Sequence, residues 1–243
     1  MNPVLEVKDI AISFGGIKAV SGVSFSVKAG EIVGLIGPNG SGKSTCVNLI
    51  TGVYPLDAGE IYFHGNLIKQ GMGIADRAKL GMGRTFQTPK PFVNYTVFDN
   101  IFTIALQTRS FPEARIKTEE ILELTGLAPL ADFPSIKLPI EKRKWLDMAR
   151  ILANDPSFIM LDEVMAGLNP VEMQESSKLI RKINEELGIT ILFIEHVMKA
   201  VVSLCSRTIV LNEGQLLCEG SPAEVLNRKD VIDIYLGKGG ANR

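Results

Sequence analysis

Gly37-Pro38-Asn39-Gly40-Ser41-Gly42-Lys43-Ser44-Thr45 carries the most legible chemistry in the chain: two glycines with four residues between them, then a lysine and two hydroxyl residues. Backbone N–H groups can wrap a polyphosphate only where Gly37, Gly40 and Gly42 leave room and supply unusual backbone angles. A helix that starts near Gly42 adds its positive N-terminal end. Lys43 then reaches the terminal phosphates, the Ser44 hydroxyl sits on a magnesium ion that bridges them, and Thr45 adds a phosphate contact. Such a loop indicates nucleotide binding and, by itself, no reaction.

Other polar groups stand at the ends of apolar runs. Phe158-Ile159-Met160-Leu161-Asp162-Glu163 reads as a buried strand that finishes on two carboxylates. Beside a phosphate-loop strand, the first of these, Asp162, meets the magnesium. The second, Glu163, is placed to polarise a water against the terminal phosphate. Without the loop upstream, the same pair would read as a solvated turn. Ile189 to Ile194 ends at Glu195-His196, and His196 is either a γ-phosphate contact or a capping or surface histidine. Gln87 closes the run Met82-Gly83-Arg84-Thr85-Phe86-Gln87, where a lone amide would ordinarily be a solvated loop residue. Phe14 can stack on an adenine ring or serve as a turn-flanking core aromatic.

The elements that must position these groups follow from the patterning. Leu5 to Ile12 and Val23 to Val27 alternate as half-buried antiparallel strands, with Phe14-Gly15-Gly16 as the turn signal between them. Glu31 to Ile36 is the buried strand before the phosphate loop, and Cys46 to Thr51 continues the helix after it. Ile61-Tyr62-Phe63 is a short strand between turns, with His64 as a surface turn residue. From Val97 to about Ala153 strand signals are absent and the pattern is helical: Val97 to Leu106, Pro112 to Leu124, and a helix beginning near Pro139. Pro170 to Leu187 is a long amphipathic helix closed by Gly188, and Arg207 to Leu211 and Gln215 to Glu219 form a hairpin around Asn212-Glu213-Gly214.

Composition narrows the function classes. The 243 residues can bury a substantial core, and 26 Lys plus Arg against 27 Asp plus Glu leave a net charge of -1, which gives no electrostatic reason to expect nucleic acid. Cys46, Cys205 and Cys218 are scattered without a metal-binding spacing, which suggests reduced thiols in a cytosolic compartment. The first nine residues carry acidic groups where a signal peptide would be apolar, and no run approaches the roughly 18 to 20 apolar residues of a membrane span. The chain is therefore expected to be soluble, or attached to a membrane only through a partner.

The order of these elements resembles the ATP-binding subunits of ABC transporters, from Leu5 to about Gly237. Phe14 matches the adenine-stacking aromatic, Gly37 to Thr45 the Walker A motif, and Gln87 the Q-loop glutamine that also reaches the magnesium. Asp162 matches the Walker B carboxylate, Glu163 the catalytic glutamate, Ala166-Gly167-Leu168-Asn169-Pro170 the D-loop, and His196 the switch histidine. Tyr95-Thr96-Val97-Phe98-Asp99-Asn100, Ile194-Glu195-His196 and the ending Val231-Ile232-Asp233-Ile234-Tyr235-Leu236-Gly237 look like the branched-chain amino acid branch.

The resemblance implies an α/β P-loop NTPase: a RecA-like core with an N-terminal antiparallel β-subdomain and an inserted α-helical subdomain. In residue terms, 1–87 and 155–220 form the core with its antiparallel sheet, 88–154 the helical subdomain and 221–243 a C-terminal helical tail. It implies ATP and Mg2+ as ligands, and hydrolysis by in-line attack of water on the γ-phosphate. Glu163 positions the water, Lys43 and the loop amides stabilise charge, and His196 and Gln87 sense the γ-phosphate. It also implies integral membrane permease subunits as partners, an extracytoplasmic substrate-binding protein if the system imports, and a peripheral position on the cytoplasmic face of the membrane. The segment after Gln87 would be the docking surface.

One motif departs from the family. Members carry Leu-Ser-Gly-Gly-Gln or close to it, and each subunit offers that serine and those glycines to ATP held by the other; here the stretch reads Leu138-Pro139-Ile140-Glu141-Lys142. Pro139 removes a hydroxyl and an N–H, and Ile140 and Glu141 fill space. A carboxylate about 4 Å from a phosphate charge is repelled by roughly 4 kcal/mol at an effective dielectric near 20. Lys142, Arg143 and Lys144 either offset that charge or form a solvated face, and Pro139 followed by Glu141 is also a sound helix start. The expectation is a heterodimer with a second ATP-binding subunit whose signature is intact. The alternatives are a nucleotide-dependent regulatory subunit with little turnover, and a non-transport ABC ATPase.

Overall fold

The computed structural model describes residues 3–236, so Gly237 and the rest of the expected tail lie outside the described residues. The chain forms two compact units: Met1–Arg77 with Thr190–Arg243, and Ala78–Ile189.

The first unit is built on two sheets. Strands β1 (Pro3–Phe14) and β2 (Ile17–Lys28) pair antiparallel along their length. The strands β4 (Ala58–Phe63) and β5 (Asn66–Leu67) extend that sheet in the order β2-β1-β4-β5. Leu5, Ile10, Val20 and Val23 are buried, and register shifts such as that between Val7 and Ile10 interrupt the expected alternation. In the second sheet, β3 (Ile32–Ile36) lies parallel to both β8 (Thr190–Ile194) and β9 (Arg207–Asn212), and β10 (Gln215–Gly220) returns antiparallel to β9. All five residues of β3 and all five of β8 are buried, as continuous apolar strands covered on both faces must be. The β9 to β10 turn is tight, with Glu213 at φ 49° and Gly214 at φ 76°.

Helix α1 (Lys43–Thr51) follows the phosphate loop. Its C-terminal end is held by a contact that local patterning does not announce. Arg77, in the short helix α2 (Ile74–Lys79), donates from Nη1 to the carbonyls of Leu49 at 2.7 Å and Ile50 at 2.6 Å, and from Nε to Met72 at 3.1 Å. The helices α7 (Met198–Leu204), α8 (Pro222–Leu226) and α9 (Lys229–Leu236) complete this unit.

The second unit holds the parallel pair β6 (Met82–Arg84) and β7 (Phe158–Asp162) with α3 (Val97–Ala105), α4 (Phe111–Thr125), α5 (Ile140–Leu152) and α6 (Pro170–Leu187). Its helices start where side chains can cap them. Thr96 with Asp99, Ser110 with Glu113, and Asn169 with Glu172 each form a capping box, and Gly126 and Gly188 end α4 and α6 in left-handed conformation. Trp145 Nε1 donates to Ser176 Oγ at 2.9 Å and ties α5 to α6. Asn100, fully buried, folds the preceding loop by accepting from Phe92 N–H and donating to the carbonyls of Phe92 and Thr96.

Several boundaries differ from the sequence reading, β2 starting at Ile17 rather than Val23 among them, and two bear on the candidate site. Strand β6 ends at Arg84 rather than Gln87, because ladder pairing with β7 stops at Arg84 opposite Met160. Pro139 is the N-cap of α5 (φ -57°, ψ 157°) and not its first helical residue, so the helix opens on Ile140.

Candidate functional site

In the first unit the phosphate loop is shaped by close backbone approaches. A Cβ on Gly37 (φ 152°) would sit 2.2 Å from the Leu211 carbonyl, and one on Gly42 (φ 98°) would sit 2.7 Å from the Ala19 carbonyl, so neither position admits a side chain. The β9 to β10 turn braces the loop: Gly214 N–H donates to the Ser41 carbonyl at 3.0 Å, and Ser21 N–H donates to the Gly214 carbonyl at 2.8 Å. Gly42 is the N-cap of α1 and no side chain caps the first turn, which leaves that helix end suited to an anion.

Lys43, 5% exposed, folds onto its own loop and donates to the carbonyls of Gly37 at 2.8 Å and Pro38 at 2.9 Å. Ser44 is exposed in the first turn and Thr45 is half-buried; Asn39 and Gly40 are exposed at the loop tip, with Pro38 half-buried beside them. The parallel register Leu35↔Ile194 brings His196, exposed two residues beyond β8, to the same sheet edge from which Gly37 leaves β3. The His196 N–H donates to the buried carboxylate of Glu195 at 3.2 Å. Phe14 is 44% exposed and packs edge-on against Tyr54 at 5.2 Å, so it is not a core aromatic. Burial raises the phenol of Tyr235, on α9, above the ordinary range.

In the second unit the strand end of β7 and the residues after β6 meet as a set. Asp162 is buried, and Arg84 Nη2 donates to its Oδ2 at 2.9 Å. Asp162 N–H donates to Thr85 Oγ1 at 2.9 Å. Gln87 Nε2 donates to Glu163 Oε2 at 2.6 Å, so these two expected site residues are in direct contact. Glu163 is half-buried and adopts φ 51°, a left-handed backbone that costs a non-glycine residue about 1–3 kcal/mol and is held by its surroundings.

One of those surroundings bears on an alternative that the sequence left open. Lys144 is not part of a solvated face: it is 5% exposed, and its Nζ donates to the Ala166 carbonyl and, at 3.4 Å, to that of Glu163. Lys142 lies over the Trp145 ring at 3.3 Å and within 3.5 Å of the Glu141 carboxylate. Glu141 is turned in, 9% exposed, while Ile140 stands 44% exposed at the head of α5.

Arg84 escaped the sequence reading because it acts through Asp162, a partner distant in the chain. The only local signal was an arginine three residues before an expected functional amide.

A strand, a glycine loop clamped by backbone, an uncapped helix start and an inward lysine define a P-loop nucleotide-binding protein. Residues 20–166 match the family model for the ABC transporter, and residues 215–241 match that for the branched-chain amino acid ATP-binding cassette transporter. The chain is similar to the high-affinity branched-chain amino acid transport ATP-binding protein BraF of Pseudomonas aeruginosa, 35% identical over 97% of this chain and 98% of that one. Among solved structures, the ADP conformation of an ATP-binding cassette of an ABC transporter superposes with a TM-score of 0.87 at 32% identity, covering 98% of this chain and 100% of that one. A dimeric post-hydrolysis ATP-binding cassette bound to ADP and Pi gives 0.79 at 25% identity, covering 90% and 98%.

The chain belongs to the ABC transporter family, as an ATP-binding subunit similar to the branched-chain amino acid type, and is an ATPase whose hydrolysis is coupled to transport. Its α/β architecture is that of the P-loop NTPases. Among the described residues no helix is long and apolar enough to cross a membrane.

Proposed function

We propose that this chain powers uptake of branched-chain amino acids or similar small solutes, docked on the cytoplasmic face of a membrane permease and paired with a different ATP-binding subunit. The substrate class rests on the relatives' names and the C-terminal family match. An extracytoplasmic binding protein would deliver the solute.

The loop amides of Gly37 to Thr45 and Lys43 hold the ATP phosphates and stabilise charge on the leaving group, while Phe14 offers a half-exposed ring to the adenine. Glu163 orients the attacking water and takes its proton, and Gln87 and His196 read the γ-phosphate. The Ser44 hydroxyl, the Asp162 carboxylate and the Gln87 amide oxygen are hard oxygen donors of the kind Mg2+ prefers. That ion neutralises phosphate charge.

The pairing rests on a single observation: the chain has a complete Walker A and Walker B set, while the head of α5 presents Pro139 and Ile140 where a partner's ATP would need a serine and glycines. Since Glu141 is turned in against Lys142, its charge is offset, and the obstacle offered outward is the bulk of Ile140. A homodimer then has two poor sites, whereas a partner with an intact signature restores one. The test is steady-state hydrolysis by the purified chain alone, and again after co-expression with the second ATP-binding subunit and permease. Turnover by the chain alone at the rate of the assembled complex, abolished by Glu163→Gln, refutes the heterodimer. The altered signature also favours a second reading, a regulatory subunit with little turnover of its own; it predicts that Glu163→Gln in this chain leaves the complex's rate unchanged.

A further inference from the structure

Strand β6 grips the end of β7 through side chains that neither strand's pattern reveals. The register pairs Arg84 with Met160, which puts Arg84 on the face of β7 that carries Asp162 two residues on. The guanidinium donates to Asp162 Oδ2 at 2.9 Å, with the two side chains only 11% and 7% exposed. Thr85 Oγ1 fixes the backbone of Asp162 by accepting its N–H, and the Phe86 ring lies 5.1 Å from the guanidinium. A Cβ on Gly83 would come within 2.3 Å of Ile151 Cγ2, so β6 approaches α5 closely and the arginine's backbone has little latitude. These contacts make a rigid, largely desolvated ion pair on the carboxylate that the proposed function turns toward Mg2+.

We propose that Arg84 is a positioning residue and built-in counter-cation for Asp162, which sets how strongly the site prefers metal-bound over metal-free nucleotide. The inference rests on the reading of Asp162 as the metal-facing carboxylate. A buried carboxylate with no counter-charge is costly, so Arg84 stabilises Asp162 before any metal arrives. The same cation reduces what a divalent ion gains there, because the ion meets a carboxylate already neutralised and a like charge held beside it. Arg84 thereby keeps the metal's contribution moderate and holds the carboxylate in one orientation.

The test is a linkage ratio: the affinity of the full-length chain for a fluorescent ADP analogue in excess Mn2+, divided by its affinity in EDTA. A general loss of nucleotide affinity or stability cancels in that ratio. With Arg84→Met the ratio is expected to rise by about 10-fold or more, because a like charge is removed at close range in a poorly solvated site. Arg84→Gln keeps a hydrogen-bond donor without the charge, should raise the ratio as well, and serves if the methionine variant folds poorly. Arg84→Lys should stay near the wild-type ratio. A ratio that is unchanged or smaller in the neutral variants, while Asp162→Asn brings it close to one, overturns the role of Arg84. If Asp162→Asn leaves the wild-type ratio intact, the assignment of Asp162 to the metal is what fails, and the inference falls with it.

Discussion

Replacing Arg77 by methionine should destabilise the nucleotide-binding unit by about 3 kcal/mol. Arg77 is 6% exposed and delivers Nη1 to the carbonyls of Leu49 and Ile50 at 2.7 and 2.6 Å, the last turn of the helix whose first turn carries Lys43 and Ser44. A hydrogen bond from a charged donor contributes roughly 1.5–3 kcal/mol net, and a cation at a helix C-terminus adds a few tenths to about 1 kcal/mol. Burial works against the charge and lowers the arginine's pKa, so the lower end of that range is the better guide: two bonds at about 1.5 kcal/mol each. Methionine fills similar space, which keeps the cavity contribution small. For a chain of this length, about 1 kcal/mol moves the melting midpoint by roughly 2–4 °C, so the variant should melt about 6–12 °C lower by circular dichroism or dye fluorescence. Arg77→Lys, which keeps the charge but not the forked geometry, should recover part of the loss. A drop below about 2 °C would refute the reasoning, since it would mean that the α1 carbonyls find equivalent partners without the guanidinium.

Gly83→Ala places a methyl 2.3 Å from Ile151 Cγ2 and 3.1 Å from Ile159 Cγ2, and should cost about 1–3 kcal/mol in urea denaturation, with Ile151→Leu, which lacks the β-branch methyl, in the same chain recovering part of it. Asn169→Ala removes the acceptor for Val171 and Glu172 N–H at the start of α6 and should cost about 1 kcal/mol, read as a lower melting midpoint. Alkaline pH should weaken the fold, because burial pushes the Cys46 and Cys205 thiols from 9.0 up to about 12. The unfolded chain then loses those protons before the folded one does. Stability is fully present below about pH 9 and falls as pH rises toward about 12, by up to about 1.4 kcal/mol per pH unit for each thiol. Urea midpoints measured across that window should fall steeply, and Cys46→Ala should roughly halve the slope.

The phosphate loop was legible in the sequence because its chemistry is local: Gly37, Gly40 and Gly42 free the backbone, and Lys43 and Ser44 sit at the helix start those glycines permit. The long helices were legible for the same reason. Asn169-Pro170 with Glu172 opens α6 and Gly188 closes it, all within hydrogen-bond reach along the chain. The expected helices from Val97 to Ala153 fall on α3, α4 and α5 because their apolar periodicity and caps agree.

Tertiary structure alone decided what touches the carboxylates. Arg84 lies 78 residues from Asp162 and Gln87 lies 76 from Glu163, and the contacts exist only because β6 and β7 pair in parallel in one register. Parallel pairing joins segments separated by a crossover, so no short window of sequence encodes which residues will face each other. The charges at the head of α5 were likewise settled by packing: Lys144 is drawn inward by the Glu163 and Ala166 carbonyls, and Glu141 is turned against Lys142. The helices α2 and α7, six and seven residues long, are too short for periodicity to register and owe their existence to tertiary contacts such as those of Arg77. The sequence alone therefore determined which groups could bind a nucleotide, since that is a property of residue type and near-neighbour spacing. Only the fold decided which charges stand beside them, because that depends on strand register and desolvation.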